Sequence, residues 1–138
     1  MESGSRWERV KAETKKVMNF AERFEDLRIW QEARDQVRAI YRAFERGSAG
    51  HTDFGFRDQL QRAAVSVMNN IAEGFERKTP KDFAHFLDLA KGSCGEVRSM
   101  LYVAEDLIYL APADALSLRD RAEKLSRGIA SFTGHLRS

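Results

Sequence analysis

The chain has 138 residues and a mass of 15.8 kDa, enough for one hydrophobic core and too little for two with a linker. With 43% hydrophobic and 32% charged residues, two prolines, nine glycines and one cysteine, it falls outside the disordered, collagen-like and disulfide-stapled classes. A formal charge of +2 is too small to mark a polyanion binder by whole-chain electrostatics; no apolar run spans a bilayer's ~30 Å hydrocarbon core, and the lone Cys94 fits a reducing cytoplasm.

Residues 1–20 are polar and charged apart from Trp7, Val10, Val17, Met18 and Phe20, without the apolar stretch of a secretory signal. They read as a tail or a frayed helix. Met18 is a second candidate start, so residues 1–17 are either native or an upstream extension. The expected division is a polar segment over 1–23 and one folded domain over 24–138.

From Phe24 onward the apolar positions recur at helical intervals. Trp30, Ala33, Val37, Ile40 and Phe44 form one stripe and predict a helix over about 25–46, broken by GSAGHT at 47–52. A second helix is predicted over about 53–77, with Phe56, Leu60, Ala63, Val67 and Ile71 on one face and Asp53 or Thr52 as N-cap. Thr79-Pro80-Lys81-Asp82 opens a third: threonine caps, proline suits the first helical position, and the aspartate complements the helix dipole. Its stripe is Phe83, Leu87, Ala90, Cys94, Val97, Leu101, Ala104 and Ile108. Pro112 stops that helix and starts a fourth, with Leu118, Ala122, Leu125, Ile129, Phe132 and Leu136 inward. Four amphipathic helices joined by short connections predict an all-α fold, an antiparallel up-down-up-down four-helix bundle.

The apolar surface exceeds what one bundle needs. The third helix carries a second stripe, Phe86, Leu89, Ser93, Glu96, Met100, Val103, Leu107 and Leu110, which either widens the buried face or forms a seam between chains. The run AAVSVMNNIA at 63–72 has no charge and is expected to be covered on most sides. Together these predict a homo-oligomer with the second or third helix at the contact. Ser66, Asn70, Glu73 and Arg77 share a face at intervals of 4, 3 and 4; with Ser93 and Glu96 they form a polar spine that either sets register and oligomer geometry, the simpler reading, or lines a ligand site. Gly92 and Gly95 cost roughly 1 kcal/mol each in a helix, which packing must offset.

The segment QLQRAAVSVMNNIAEGFER at 59–77 resembles the signature of the 23S rRNA intervening sequence proteins, also called four-helix bundle proteins. FEDLRIWQ at 24–31 is similar to that family's opening, and Asp82-Phe83, Phe86-Leu87, Ala90, Gly92-Ser93 and Glu96 resemble its next segment. Gln61 stands where the family commonly has a basic residue. The resemblance covers Phe24 to about Leu136 and implies a homopentamer, in a family named for sequences that interrupt bacterial large-subunit rRNA genes. It extends to the accessory protein of diversity-generating retroelements, which binds nucleic acid and partners a reverse transcriptase. RNA or DNA binding is therefore the expected function by analogy.

In the residues themselves, Arg34, Arg38, Arg42 and Arg46 recur every four positions, a ladder suited to phosphates. Glu25, Asp26, Glu32, Asp35 and Glu45 balance the five arginines of that segment, so a solvated, ion-paired face explains the same pattern. Arg57, Arg62, Arg77 and Lys78 add basic groups around the second helix, and repetition in an oligomer multiplies any weak patch. Tyr102 and Tyr109 are the nearest stacking candidates, although packing explains them more simply.

Catalysis is not expected. A carboxylate-bridged metal site needs two Glu-x-x-His pairs, and only Asp82-Phe83-Ala84-His85 approximates one, with His51 and His135 remote from it. Cys94 lies in an apolar stripe, and Gly92-Ser93-Cys94-Gly95 lacks the lysine and strand-to-helix context of a phosphate loop. Neither a metal nor a cofactor is implied. Two functions remain open: a nucleic-acid-binding oligomer, and a protein–protein scaffold without nucleic-acid binding.

Overall fold

The computed structural model describes residues 21–138; residues 1–20, with the tail or frayed helix expected there, lie outside them. A 3₁₀ turn at Phe24–Asp26 leads into four helices: α1 (Arg28–Ala43), α2 (Phe54–Phe75), α3 (Pro80–Asp106) and α4 (Pro112–Arg137). No strand occurs among the described residues.

Caps follow the local chemistry. The Asp53 carboxylate accepts from the Phe56 N–H at 3.3 Å, and the Thr79 hydroxyl accepts from the Asp82 N–H at 3.1 Å ahead of Pro80, satisfying N–H groups that have no partner within the helix. At the far end of α3 the Ala104 carbonyl accepts from the N–H groups of Tyr109 at 2.8 Å and Leu110 at 3.4 Å. That closure requires a left-handed residue, and Ile108 supplies it with φ 61°.

The α3 stripe lies at the centre of the core. Phe83, Leu87, Ala90, Cys94, Val97, Leu101 and Ala104 are buried, but Ile108 is 80% exposed. The stripe therefore ends one step earlier than its spacing predicts, because the helix stops at Asp106 and the chain turns before Pro112. Contacts between α2 and α3 run in opposite residue order: Gln59 bonds Glu96, Ser66 bonds Ser93, and Phe75 meets Phe83. The same holds for α3 and α4, where Asp88 pairs with Arg137 and Glu105 with Arg119. A close approach of α2 to α3 is at Gly74, where a Cβ would stand 2.8 Å from the Phe86 Cβ and 2.9 Å from the Phe83 ring. Alanine is excluded there by close packing.

Helix α1 is shorter than the 25–46 span its spacing predicts, and its inward face is rotated by about one position. Ile29, Ala33, Gln36 and Ile40 are buried along it, and Phe44 continues the line beyond its end, while Trp30 and Val37 flank them half-buried. Because the helix ends at Ala43, the connection to α2 spans 44–53 instead of the six residues GSAGHT suggests. This corner is built: Phe44 packs against Tyr109 and Phe56, the Tyr109 hydroxyl donates to Asp53 at 2.7 Å, and at Gly50 a Cβ would stand 2.5 Å from the Phe44 ring.

Gln36 is 2% exposed, and neither its amide nitrogen nor its amide oxygen has a hydrogen-bond partner among the described residues. Desolvating an amide without a partner costs on the order of 1–3 kcal/mol, and leucine has a similar volume. Gln36→Leu should therefore raise stability by about 1–3 kcal/mol, seen as a higher urea midpoint with an unchanged m-value. A lower midpoint would show that the amide is satisfied.

Candidate nucleic-acid interface

Each residue of the arginine ladder is placed by the α1 backbone. Arg34, Arg38 and Arg42 are exposed on one flank of the helix; Arg46 is exposed beyond its C-terminus, in the 44–53 connection. The ladder thus has three helical rungs. The same boundaries change its electrostatics. Glu25 and Asp26 lie in the 3₁₀ turn and Glu45 lies past the helix end, so three of the five balancing carboxylates are off the helix. Asp26 is also engaged locally: the backbone N–H of Glu22 first, then Arg23, hold its carboxyl below the usual range. Within α1 itself Arg28, Arg34, Arg38 and Arg42 face Glu32 and Asp35, a net +2.

Charge is segregated among the helices. In α4, Arg119, Arg121, Lys124, Arg127 and Arg137 stand against Asp114, Asp120 and Glu123, again +2. In α3, Lys81, Lys91 and Arg98 stand against Asp82, Asp88, Glu96, Glu105 and Asp106, a net −2. The two basic helices are neighbours: a groove of about 790 Å³ is lined by Arg28 and Ile29 of α1 and by Lys124, Phe132 and His135 of α4. On the other flank of α1, a groove of about 420 Å³ brings Tyr41 together with Arg62, Val65, Ser66, Asn69, Asn70 and Glu73 of α2. Tyr41 is 47% exposed, and the Arg34 guanidinium lies 5.7 Å over the Trp30 ring.

The other basic candidates are placed differently. Arg57 is half-buried and bound into the corner: it donates to the His51 carbonyl at 3.1 Å, pairs with Asp58 at 3.2 Å and covers the Phe54 ring at 4.9 Å. Arg77 pairs with Glu73 at 3.2 Å and covers the Phe86 ring at 4.5 Å. Arg62 and Lys78 are exposed. Tyr102 is capped by Arg119, whose guanidinium sits 4.1 Å over the ring while bonding Glu105 at 2.7 Å; Tyr109 is held in the corner.

The polar spine divides into a half-buried knot and solvent-facing pairs. The Ser66 and Ser93 hydroxyls bond each other at 2.9 Å, and the Asn70 amide donates to the Ser66 carbonyl at 2.9 Å and hydroxyl at 3.0 Å. Glu73–Arg77 and Gln59–Glu96 are exposed. Sequence reasoning missed Gln59, although it precedes Ser66 by seven residues on the same face. It also missed Tyr41 and the basic run on α4. Their signal was position beside arginines that only the packing brings together.

His51, His85 and His135 stay apart from any acidic cluster. Among the described residues no group of three or more His, Cys, Asp or Glu side chains comes together, and no described helix is long and apolar enough to cross a membrane.

The family model for the 23S rRNA-intervening sequence protein matches residues 25–131. The chain belongs to this family. Among curated proteins, none matches it. The matched span in this 23S rRNA-intervening sequence protein runs from the 3₁₀ turn into α4 and includes the whole Tyr41 groove, while Phe132 and His135 of the other groove lie just beyond it.

Cys94 is fully buried, with its Sγ–H donating to the Ala122 carbonyl at 3.1 Å. Burial pushes its thiol up to about 11, against the smaller opposing pull of Arg98 and Lys91. At pH 8 the native thiolate fraction should be about a hundredfold below that of the unfolded chain, and alkylation by iodoacetamide should be slower by at least that factor. Because the folded value is the raised one, the stability contribution is complete below pH 9.0 and is lost as pH rises toward 11. Rapid native alkylation would place the sulfur at the surface.

Proposed function

We propose that this chain is a non-enzymatic, RNA-associated protein that acts as a homo-oligomer of antiparallel four-helix bundles. The carrying observation is the exposed ladder Arg34, Arg38 and Arg42 on a helix of net charge +2, adjoining a groove that holds exposed Tyr41 beside Arg62. Arginine forks suit phosphates, an exposed tyrosine offers a stacking surface, and the exposed Asn69 amide in the same groove suits base edges. The family's association with 23S rRNA-intervening sequences supports RNA as the polyanion. The opposed residue order along α2–α3 and α3–α4 supports the antiparallel topology.

Assembly is supported by the outer face of α3. Leu89 and Val103 are 45% and 42% exposed, whereas Met100 of the same stripe is buried. Within the charge-free 63–72 run, Val65, Ser66, Met68, Asn70 and Ala72 remain half-buried and Asn69 exposed. A Cβ at Gly92 or Gly95 would meet no atom within 4 Å among the described residues, so nothing among them offsets the helix cost of roughly 1 kcal/mol each. Close approach of a neighbouring copy accounts for both.

Replacing Arg34 and Arg38 with glutamine should weaken binding of a structured RNA and lower the slope of log K against log salt by about 1.5, with unchanged assembly mass. If the wild-type chain binds no RNA at low salt, the scaffold reading takes its place. Gly92→Ala combined with Gly95→Ala should raise the stability of the dilute, dissociated chain by about 1–2 kcal/mol while lowering assembly mass in sedimentation. An unchanged mass would remove this face from the contact.

A further inference from the structure

Ile108 is unfavourable in two ways at once. It is a β-branched residue in the left-handed region, φ 61°, where glycine or asparagine is the usual choice. Its side chain is also 80% exposed, the highest value among the large exposed hydrophobics of the described residues. The backbone closure at Ala104 requires the conformation but not an isoleucine, so the described residues supply no reason for this side chain. It stands out from one end of the bundle, because Tyr109 beside it packs on Phe44, Phe56 and Asp53.

That same end contains a receptor for it. A groove of about 470 Å³ lies between the C-terminus of α1 and the start of α4, with Ala39, Ala43, Leu110 and Leu118 among its lining residues and Arg42 and Asp114 also present. Tyr109, the residue that follows Ile108, already lines the groove, so knob and groove lie side by side at this end. Arg42 and Asp114 in the lining and Arg46 and Asp106 nearby give this end both signs of charge. A nucleic acid would meet carboxylates there. A second copy related by a two-fold axis can set cations against carboxylates while each Ile108 enters the other's groove.

We infer that the corner at 107–111 is an isologous, end-to-end contact between two copies of this chain, with Ile108 as the anchor. The contact is separate from the side face of α3 that carries the proposed assembly, so together they double whatever ring or cluster the side face forms.

Sedimentation velocity of the full chain across the micromolar range tests this. The wild type should reach an even-numbered assembly on concentration. Ile108→Gly relieves the backbone and removes the knob, so it should weaken the doubling at least tenfold, leave species of half the mass, and keep a melting temperature no lower than wild type. Ser117→Trp, on an exposed residue lining the groove, should do the same. An equimolar mixture should regain part of the doubling, since the first variant keeps its groove and the second its knob. A wild-type assembly that stays odd-numbered at high concentration, or variants that double like wild type, overturns the inference while leaving the side-face assembly intact. A wild type limited to two chains supports the end contact and removes the side-face ring.

Discussion

The structure depends on burial of one face of α3. Phe83, Leu87, Ala90, Cys94, Val97, Leu101 and Ala104 have at most 1% exposure, and this helix packs extensively against both α2 and α4. Fully burying each large aliphatic or aromatic member contributes about 1.5–3 kcal/mol, whereas exposed ion pairs are worth about 0–1 kcal/mol. The surface pairs Arg28–Glu32, Arg38–Asp35 and Arg127–Glu123 therefore do not determine the fold. Their arginines are held loosely enough to exchange a carboxylate for a phosphate, which is the property a polyanion surface needs.

Close approach sets the register that burial leaves undetermined. Gly74 against Phe83 and Phe86, and Gly50 against Phe44 and Tyr109, each tolerate no added carbon, so α2 slides along α3 only at the cost of a clash. The Ser66–Ser93–Asn70 knot adds a polar match between the same helices. A slip by one residue would break the Ser66–Ser93 bond, the link of the knot that crosses between the helices, at roughly 1–3 kcal/mol. Shape and hydrogen bonding thus specify the same alignment, and the grooves beside α1 inherit their geometry from it.

The periodicity made four helices, two caps and nearly all of the α3 and α4 core legible, because apolar spacing reports the dominant energy term. What it did not report was set by chain reversal and neighbour packing. Ile108 continues the 4-3 rhythm in sequence but falls after the helix has closed on Ala104. Gln36 sits where rhythm and polarity disagree, and pattern reasoning turned α1 to place Trp30 and Val37 inward instead. The arginine ladder was visible as a spacing, but its net charge depended on helix ends, which spacing locates poorly. Tyr41 beside Arg62 is a tertiary fact: twenty-one positions separate them, and no local pattern joins residues across α1 and α2.

The places where local rules fail are distributed by function in a consistent way. Among the described residues, the buried polar atoms without a partner belong to Gln36 inside the bundle and Ser48 in the 44–53 connection. The other failures lie on the outside: uncovered glycines on α3, exposed apolar side chains beside them, and an isoleucine at a left-handed corner. A protein selected only to be a stable monomer would gain by alanine at the first, polar residues at the second and glycine at the third. Each of these substitutions favours the isolated chain, and each would erase a feature that another molecule can use. The concentration of such costs on the surface, over a core that otherwise obeys the rules, is the pattern expected of a bundle selected for contact with another molecule as well as for stability.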